Sequence, residues 1–205
     1  MLPDFCDWWT PDRILESDIA WREQEAYLEF ADAIRAVAHR FPINSVLELG
    51  CGMGYVGREI HSEFDYLGID GNADMIAMAR KHNADWDTEF PHFEVGNIRN
   101  LRTIRKPVDL VCSFGVLKHF SLADWKDIVA KMLAVGRYGL IELITTYGPS
   151  VDTGEQNNEG YHHIYINLSE LPGAWLAAGH RILAYSNLYP VDTDKERWFV
   201  LSERI

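Results

Sequence analysis

The sequence predicts a single α/β domain built on a mostly parallel sheet, and three observations point that way. A short apolar run, Val46-Leu47-Glu48-Leu49, breaks into three alternating glycines, Gly50, Gly52 and Gly54, and is followed by helix-forming residues. A second apolar run, Tyr66 to Ile69, ends in Asp70, at the ~20-residue distance from the first glycine where nucleotide-binding α/β folds place an acid. Further short apolar runs then alternate with helix-periodic stretches, the pattern of strands joined by helical crossovers.

The chain has 205 residues, enough for one domain with a substantial core. Hydrophobic residues make up 47% and charged residues 24%, an ordinary globular balance. No apolar run approaches the ~20 residues needed to span a bilayer, and the amino terminus lacks a basic region followed by an apolar stretch. The expectation is a soluble cytoplasmic protein with no membrane association. Three cysteines, Cys6, Cys51 and Cys112, show no Cys-x-x-Cys spacing and fit a reducing compartment. Nineteen basic against thirty-one acidic residues give a formal charge of −12, and no basic stripe is present. That balance disfavours nucleic acid as a substrate or partner.

Taken in order, the segment before residue 45 reads as a helical cap, leaving 45–205 as the main domain. Within it Tyr27, Phe30, Ala31, Ile34, Val37, Ala38 and Phe41 recur at helical spacing, predicting one amphipathic helix from Ala20 to Arg40 that ends before Pro42. Asn72 is a good cap for a helix running to His82, with Met75, Ile76 and Ala79 on one face. His92 to Val95 reads as a third strand closed by Gly96-Asn97-Ile98, and Val108 to Phe114 as a fourth. Ser121, with Asp124 three residues on, reads as the cap of a helix carrying Leu122, Trp125, Ile128, Val129 and Leu133. Gly139 to Thr145 is a fifth strand, and Tyr147 to Asn158 a long polar loop. Ser169 to Ala178 predicts a short helix closed by Gly179, and two antiparallel strands, Arg181 to Leu188 and Arg197 to Glu203, are joined through Pro190 to Asp194.

Glu48-Leu49-Gly50-Cys51-Gly52-Met53-Gly54 resembles the first motif of class I S-adenosylmethionine-dependent methyltransferases, an acid and Leu or Ile before Gly-x-Gly-x-Gly. A nicotinamide-binding loop, Gly-x-Gly-x-x-Gly, would need glycine at position 55, where this chain has Tyr55. The resemblance implies a Rossmann-like domain with a seven-stranded, mostly parallel sheet, helices on both faces, an antiparallel C-terminal strand pair and an N-terminal helical cap. It also implies S-adenosylmethionine as cofactor and S-adenosylhomocysteine as product. Carried over residue by residue, the cofactor-binding positions are Glu48, Gly50, Cys51, Gly52, Gly54, Asp70, Gly71, Met75, Asn97, Ile98 and Phe114. In the family the Met75 position lies against the adenine, the Asn97 position accepts from its amino group, and the next backbone N–H reaches a ring nitrogen. Val116-Leu117-Lys118-His119 resembles the family's fourth motif.

Methyl transfer from a sulfonium needs alignment, plus a base where the acceptor starts protonated. His119 is the candidate base, because its ordinary pKa lies near working pH and it follows a strand's carboxyl end. A purely structural histidine at this turn is the competing reading. Trp21, Tyr147, His162 and His163 are candidate substrate contacts. The adjacent His162 and His163 would face opposite sides of a strand and show no metal-ligand spacing, so no metal is expected. The acceptor expected is a small molecule. A protein methyltransferase of the same fold, and a cofactor-binding protein without transfer activity, remain open alternatives.

Overall fold

The structure, a computed structural model, describes residues 19–82, 92–101, 104, 107–153, 164–192 and 195–205, which cluster into two compact units divided after Asn100.

In the first unit, helix α1 (Ile19–Arg40) buries Ala26, Phe30, Ala31, Ile34 and Val37, the stripe that its 3.6-residue periodicity predicts. Arg35 fastens it to the end of helix α2 (Tyr55–Ile60) and the turn beyond, donating from Nη2 to the Glu59 carbonyl (2.7 Å) and from Nε to Glu63 (2.8 Å). Strands β1 (Ser45–Leu49), β2 (Asp65–Asp70) and β3 (His92–Val95) run parallel in the order β3-β2-β1, with Leu47 opposite Leu67 and Gly68 opposite Phe93. Helix α3 (Ala73–His82) starts where predicted, because the Asn72 side chain accepts the N–H groups of Asp74 (2.8 Å) and Met75 (3.1 Å).

In the second unit, β4 (Val108–Ser113) lies parallel to β5 (Gly136–Thr146). Helix α4 (Trp125–Leu133) contributes the buried Trp125, Ile128, Val129, Met132 and Leu133. Strand β6 (Val151–Asp152) pairs antiparallel with β7 (Ile164–Asn167), which joins the carboxyl end of β5 in parallel, and helix α5 (Leu171–Ala177) follows. Strand β9 (Lys195–Arg204) pairs antiparallel with β5 from Tyr138 to Thr146 and with β8 (His180–Asp192) on its other side.

The predicted class holds: a mixed α/β Rossmann-like fold with mostly parallel strands and an antiparallel C-terminal pair. Several boundaries differ. Helix α4 begins at Trp125 because the Ser121 carbonyl takes the N–H groups of Asp124 and Trp125 (both 3.0 Å), which makes 121–124 a turn and leaves the Ser121 side-chain cap unformed. The stretch read as loop gains β6, and β7 forms further along the chain where no element is predicted. Ser150 and Asn167 tie that region together, Asn167 N–H donating to Ser150 Oγ (2.8 Å) and Asn167 Nδ2 to the Gly148 carbonyl (2.5 Å). Strands β8 and β9 run on into the predicted connector, with register irregularities that include one at Pro190/Asp192. Proline is tolerated there because β8 pairs only with β9 among the described residues. Among the described residues no helix is long and apolar enough to cross a membrane.

Gly139 sits mid-strand where a Cβ would lie 2.3 Å from Leu133 Cδ2 and 2.9 Å from Ser202 Oγ, and both neighbours are fully buried. Gly139→Ala is expected to destabilise the protein by ~1–3 kcal/mol through overpacking, read as a lower urea midpoint at unchanged m-value.

Candidate functional site

The loop leaving β1 turns because glycine occupies its left-handed positions: Gly50, Gly52 and Gly54 have φ of 80°, 52° and 78°. Asp70, at the carboxyl end of β2, pins it. One carboxylate oxygen accepts the Gly52 N–H (2.9 Å) and the other accepts the Asn72 N–H (2.8 Å). The Gly50 and Cys51 N–H groups both point at the Ile69 carbonyl (2.7 and 3.1 Å), and Gly54 N–H closes back on the Cys51 carbonyl (2.9 Å). These four amides are engaged within the protein. What the loop presents instead is room: a Cβ built on Gly52 meets nothing within 4 Å. Gly54 is required for packing as well, since its Cβ would stand 2.5 Å from the Phe93 ring.

Beneath the loop lies Glu48, only 2% exposed, whose carboxyl accepts the Tyr66 hydroxyl. Burial pushes Glu48 up to about 8; the Tyr66 hydrogen bond opposes that rise and the nearby Asp70 charge adds to it. Burial likewise raises Asp70 above the usual carboxylate range, against the lowering effect of N–H groups from Asn72, Gly52 and Gly71. Tyr66 meets Phe93 edge-on at 5.9 Å, and Gly57 and Gly68 leave no space for a Cβ beside these rings. Tyr66, Phe93, Gly57 and Gly68 thus support the loop without having been singled out; a glycine at the centre of an apolar strand, Gly68, is the signal that marks the close approach.

The remaining first-unit candidates divide. Met75, Ile98 and Cys51 are buried, and Gly71 is exposed. Asn97 forms an Asx turn, its side-chain oxygen accepting the Arg99 N–H at 2.8 Å. An amide oxygen has two lone pairs, so this turn uses one. The side chain of Trp21 and all of His162 and His163 lie outside the described residues.

In the second unit, Phe114 and Gly115 end β4 in a turn with Gly115 at φ 70° and no atom within 4 Å of its Cβ direction. Glu142 of β5, 1% exposed, holds that turn by accepting the Gly115 N–H at 2.8 Å. Arg197 of β9 approaches the other Glu142 oxygen at 3.1 Å as an ion pair and lies over the Phe114 ring at 5.4 Å. His119 closes a single 3₁₀ turn (Leu117–His119), its N–H donating to the Val116 carbonyl at 3.0 Å, and is half-buried. Tyr147, 64% exposed just past β5, donates its hydroxyl to Glu196 at 2.7 Å. That hydrogen bond, with a small contribution from desolvation and the Glu196 charge, keeps the Tyr147 phenol above its ordinary pKa. His180 belongs to the core: its ring nitrogens meet Ser202 Oγ and the Leu133 carbonyl, and burial lowers its pKa. Among the described residues no group of His, Cys, Asp and Glu is arranged to hold a metal.

A mostly parallel α/β fold with an acid-anchored Gly-x-Gly-x-Gly loop after β1 is the arrangement that the resemblance to class I methyltransferases implies. Residues 46–139 match the family model described as "Methyltransferase domain". A protein of Mycolicibacterium smegmatis described as a probable S-adenosylmethionine-dependent methyltransferase is 28% identical over 155 residues, 71% of this chain and 55% of that protein, so the chain spans about half its length. Two solved structures share the fold. Magnesium protoporphyrin IX methyltransferase from Synechocystis PCC 6803, with bound S-adenosylmethionine, superposes with a TM-score of 0.69 at 14% identity over 92% of this chain and 82% of that one. The 1,6-didemethyltoxoflavin-N1-methyltransferase of Burkholderia thailandensis, with bound 1,6-didemethyltoxoflavin and S-adenosylhomocysteine, gives 0.69 at 16% identity over 90% of this chain and 80% of that one.

The buried Glu48 makes stability depend on pH. Its carboxyl holds a proton in the fold up to about 8, whereas the unfolded chain releases it near 4.5, so its stabilising effect is complete below about 4.5 and is lost as pH rises towards 8. Glu48→Gln is expected to flatten that decline and to exceed wild type by on the order of a few kcal/mol at about pH 8, measured by urea unfolding across pH.

Proposed function

We propose that the protein transfers the methyl group of S-adenosylmethionine to a small-molecule acceptor and releases S-adenosylhomocysteine. The observation that carries this reading is the direction of the loop amides. A loop that cradles phosphate turns its N–H groups towards the ligand. Here the amides of Gly50, Cys51, Gly52 and Gly54 are turned inward, and the polar group left at the strand end is the Asp70 carboxylate. That suits a nucleoside without phosphates, whose ribose hydroxyls are donors. The matching methyltransferase domain supports the same reading, as do the relatives named for small-molecule acceptors.

On this reading each Asp70 oxygen, already accepting one backbone N–H, takes a ribose hydroxyl on its remaining acceptor capacity. The second lone pair of the Asn97 amide oxygen accepts from the adenine amino group, and Met75 lines the adenine. The bound cofactor supplies an activated methyl whose sulfur leaves neutral and needs no proton. A protonated N–H or O–H acceptor must shed its proton, and His119 takes it. Tyr147 is not assigned that role, because its hydroxyl already donates to Glu196.

Calorimetry with S-adenosylhomocysteine is expected to show stoichiometric binding that Asp70→Ala weakens at least ~10-fold, through the loss of two charge-assisted hydrogen bonds. No binding by wild type removes the proposal. With an acceptor found in a panel of amines, phenols and carboxylates, His119→Ala is expected to lower turnover ~10²–10⁴-fold at unchanged S-adenosylhomocysteine affinity. Equal losses in both quantities, or none, assign His119 to structure instead.

A further inference from the structure

Beyond the end of β5, a carboxylate is held among aromatic rings rather than among cations. One Glu196 oxygen, Oε2, accepts both the Tyr147 hydroxyl (2.7 Å) and the Trp198 indole N–H (3.0 Å). The register explains the arrangement: Trp198 and Glu196 of β9 pair opposite Leu143 and Thr145 of β5 and stand two residues apart, so both side chains leave the same sheet face. Tyr185 of β8 meets the Trp198 ring at 6.1 Å with planes 88° apart, which sets two aromatic walls at right angles. Tyr147 is 64% and Tyr185 41% exposed, two of the seven large hydrophobic residues that are exposed among those described. Arg197, the neighbouring cation, lies on the opposite face with Glu142 and Phe114.

These donors are neutral. They fix the orientation of the Glu196 carboxylate without cancelling its charge, and among the described residues Oε1 has no hydrogen-bond donor of its own. An oriented anion flanked by aromatic faces suits a cation that is weakly hydrated and can lie on rings, which describes an organic ammonium better than a metal ion. An anion would meet the Glu196 charge, and a neutral alkyl group would leave it unanswered.

We propose that Glu196, Trp198, Tyr185 and Tyr147 form a binding site for an organic ammonium group. Resting on the methyltransferase reading above, the ammonium is a recognition handle of the acceptor, remote from the atom that receives the methyl. The nucleophilic nitrogen or oxygen must carry a free electron pair, so the positive charge belongs elsewhere in the molecule.

The test is a nitrogen–proton NMR titration of the full chain, without cofactor, with tetramethylammonium chloride as the probe and Trp198→Phe to assign the Trp198 indole signal. Saturable displacement of that signal in the millimolar range is expected. Glu196→Gln keeps one carbonyl oxygen able to accept both hydrogen bonds and removes the charge; it is expected to weaken the probe at least ~5-fold at unchanged melting temperature, and Tyr185→Leu to weaken it to a lesser degree. No displacement overturns the proposal, as does the same displacement by sodium chloride at equal ionic strength, equal response to sodium benzoate, or full binding by Glu196→Gln. Because the titration contains no methyl donor, its failure leaves the cofactor calorimetry untouched, and failure of that calorimetry leaves this site standing as an ammonium site only.

Discussion

The bond from Gly52 N–H to Asp70 is the contact on which the first unit's ligand-facing geometry depends. Three left-handed glycines make the loop after β1 conformationally permissive, and permissive loops do not hold a shape by themselves. Asp70 supplies the constraint by bridging two chain segments, the glycine loop on one side and the start of α3 at Asn72 on the other. The residue that would grip a ribose therefore also shapes the loop. Burial that raises its carboxyl and N–H groups that lower it act on one side chain, and the N–H groups are what favour keeping a half-buried acid ionised.

Each unit also contains a buried glutamate, and the two solve the problem of burial differently. Glu48 meets a neutral donor, the Tyr66 hydroxyl, and the physical outcome is a carboxyl that keeps its proton to about 8. Glu142 meets a cation and an amide, Arg197 and Gly115, so its charge is compensated where it stands. Removing either partner of a buried pair strands the other charge, at a cost typically of ~3–5 kcal/mol, which is a strong reason for Arg197 to remain where it also covers Phe114. The turn after β4 is thus fixed by side chains of β5 and β9, not by its own local preferences.

Much of this was legible from the chain because strong local signals agreed. The run from Val46 to Leu49 is buried almost throughout, Asn72 caps α3 as its side-chain chemistry dictates, and the α1 stripe falls on the predicted positions. What was not legible depended on tertiary partners. Ser121 has good capping chemistry, but its backbone carbonyl is used first, and the helix waits until Trp125. β7 exists because the end of β5 offers Thr145 and Thr146 as pairing partners, which no local pattern near Ile164 announces. Glu142, Arg197 and Glu196 escaped notice for the same reason: a charged residue inside a strand reads as solvated until the opposite strand's register brings its partner across.

The glycine loop shows how far a motif can be read before geometry must take over. Alternating glycines state that the backbone turns tightly and admits close approach, and both dinucleotide and nucleoside loops need that. The difference lies in where the amides point, which spacing only hints at through Tyr55. Once Gly50 and Cys51 are committed to Ile69 and Gly52 to Asp70, the loop has few donors left for a phosphate, while an acceptor stands at the strand end. A ligand that brings its own hydroxyl donors gains from this arrangement, and a pyrophosphate would set its charge against Asp70. The same five residues can therefore favour one cofactor class over another without changing any side chain in the loop, through hydrogen bonds whose donors are all backbone amides.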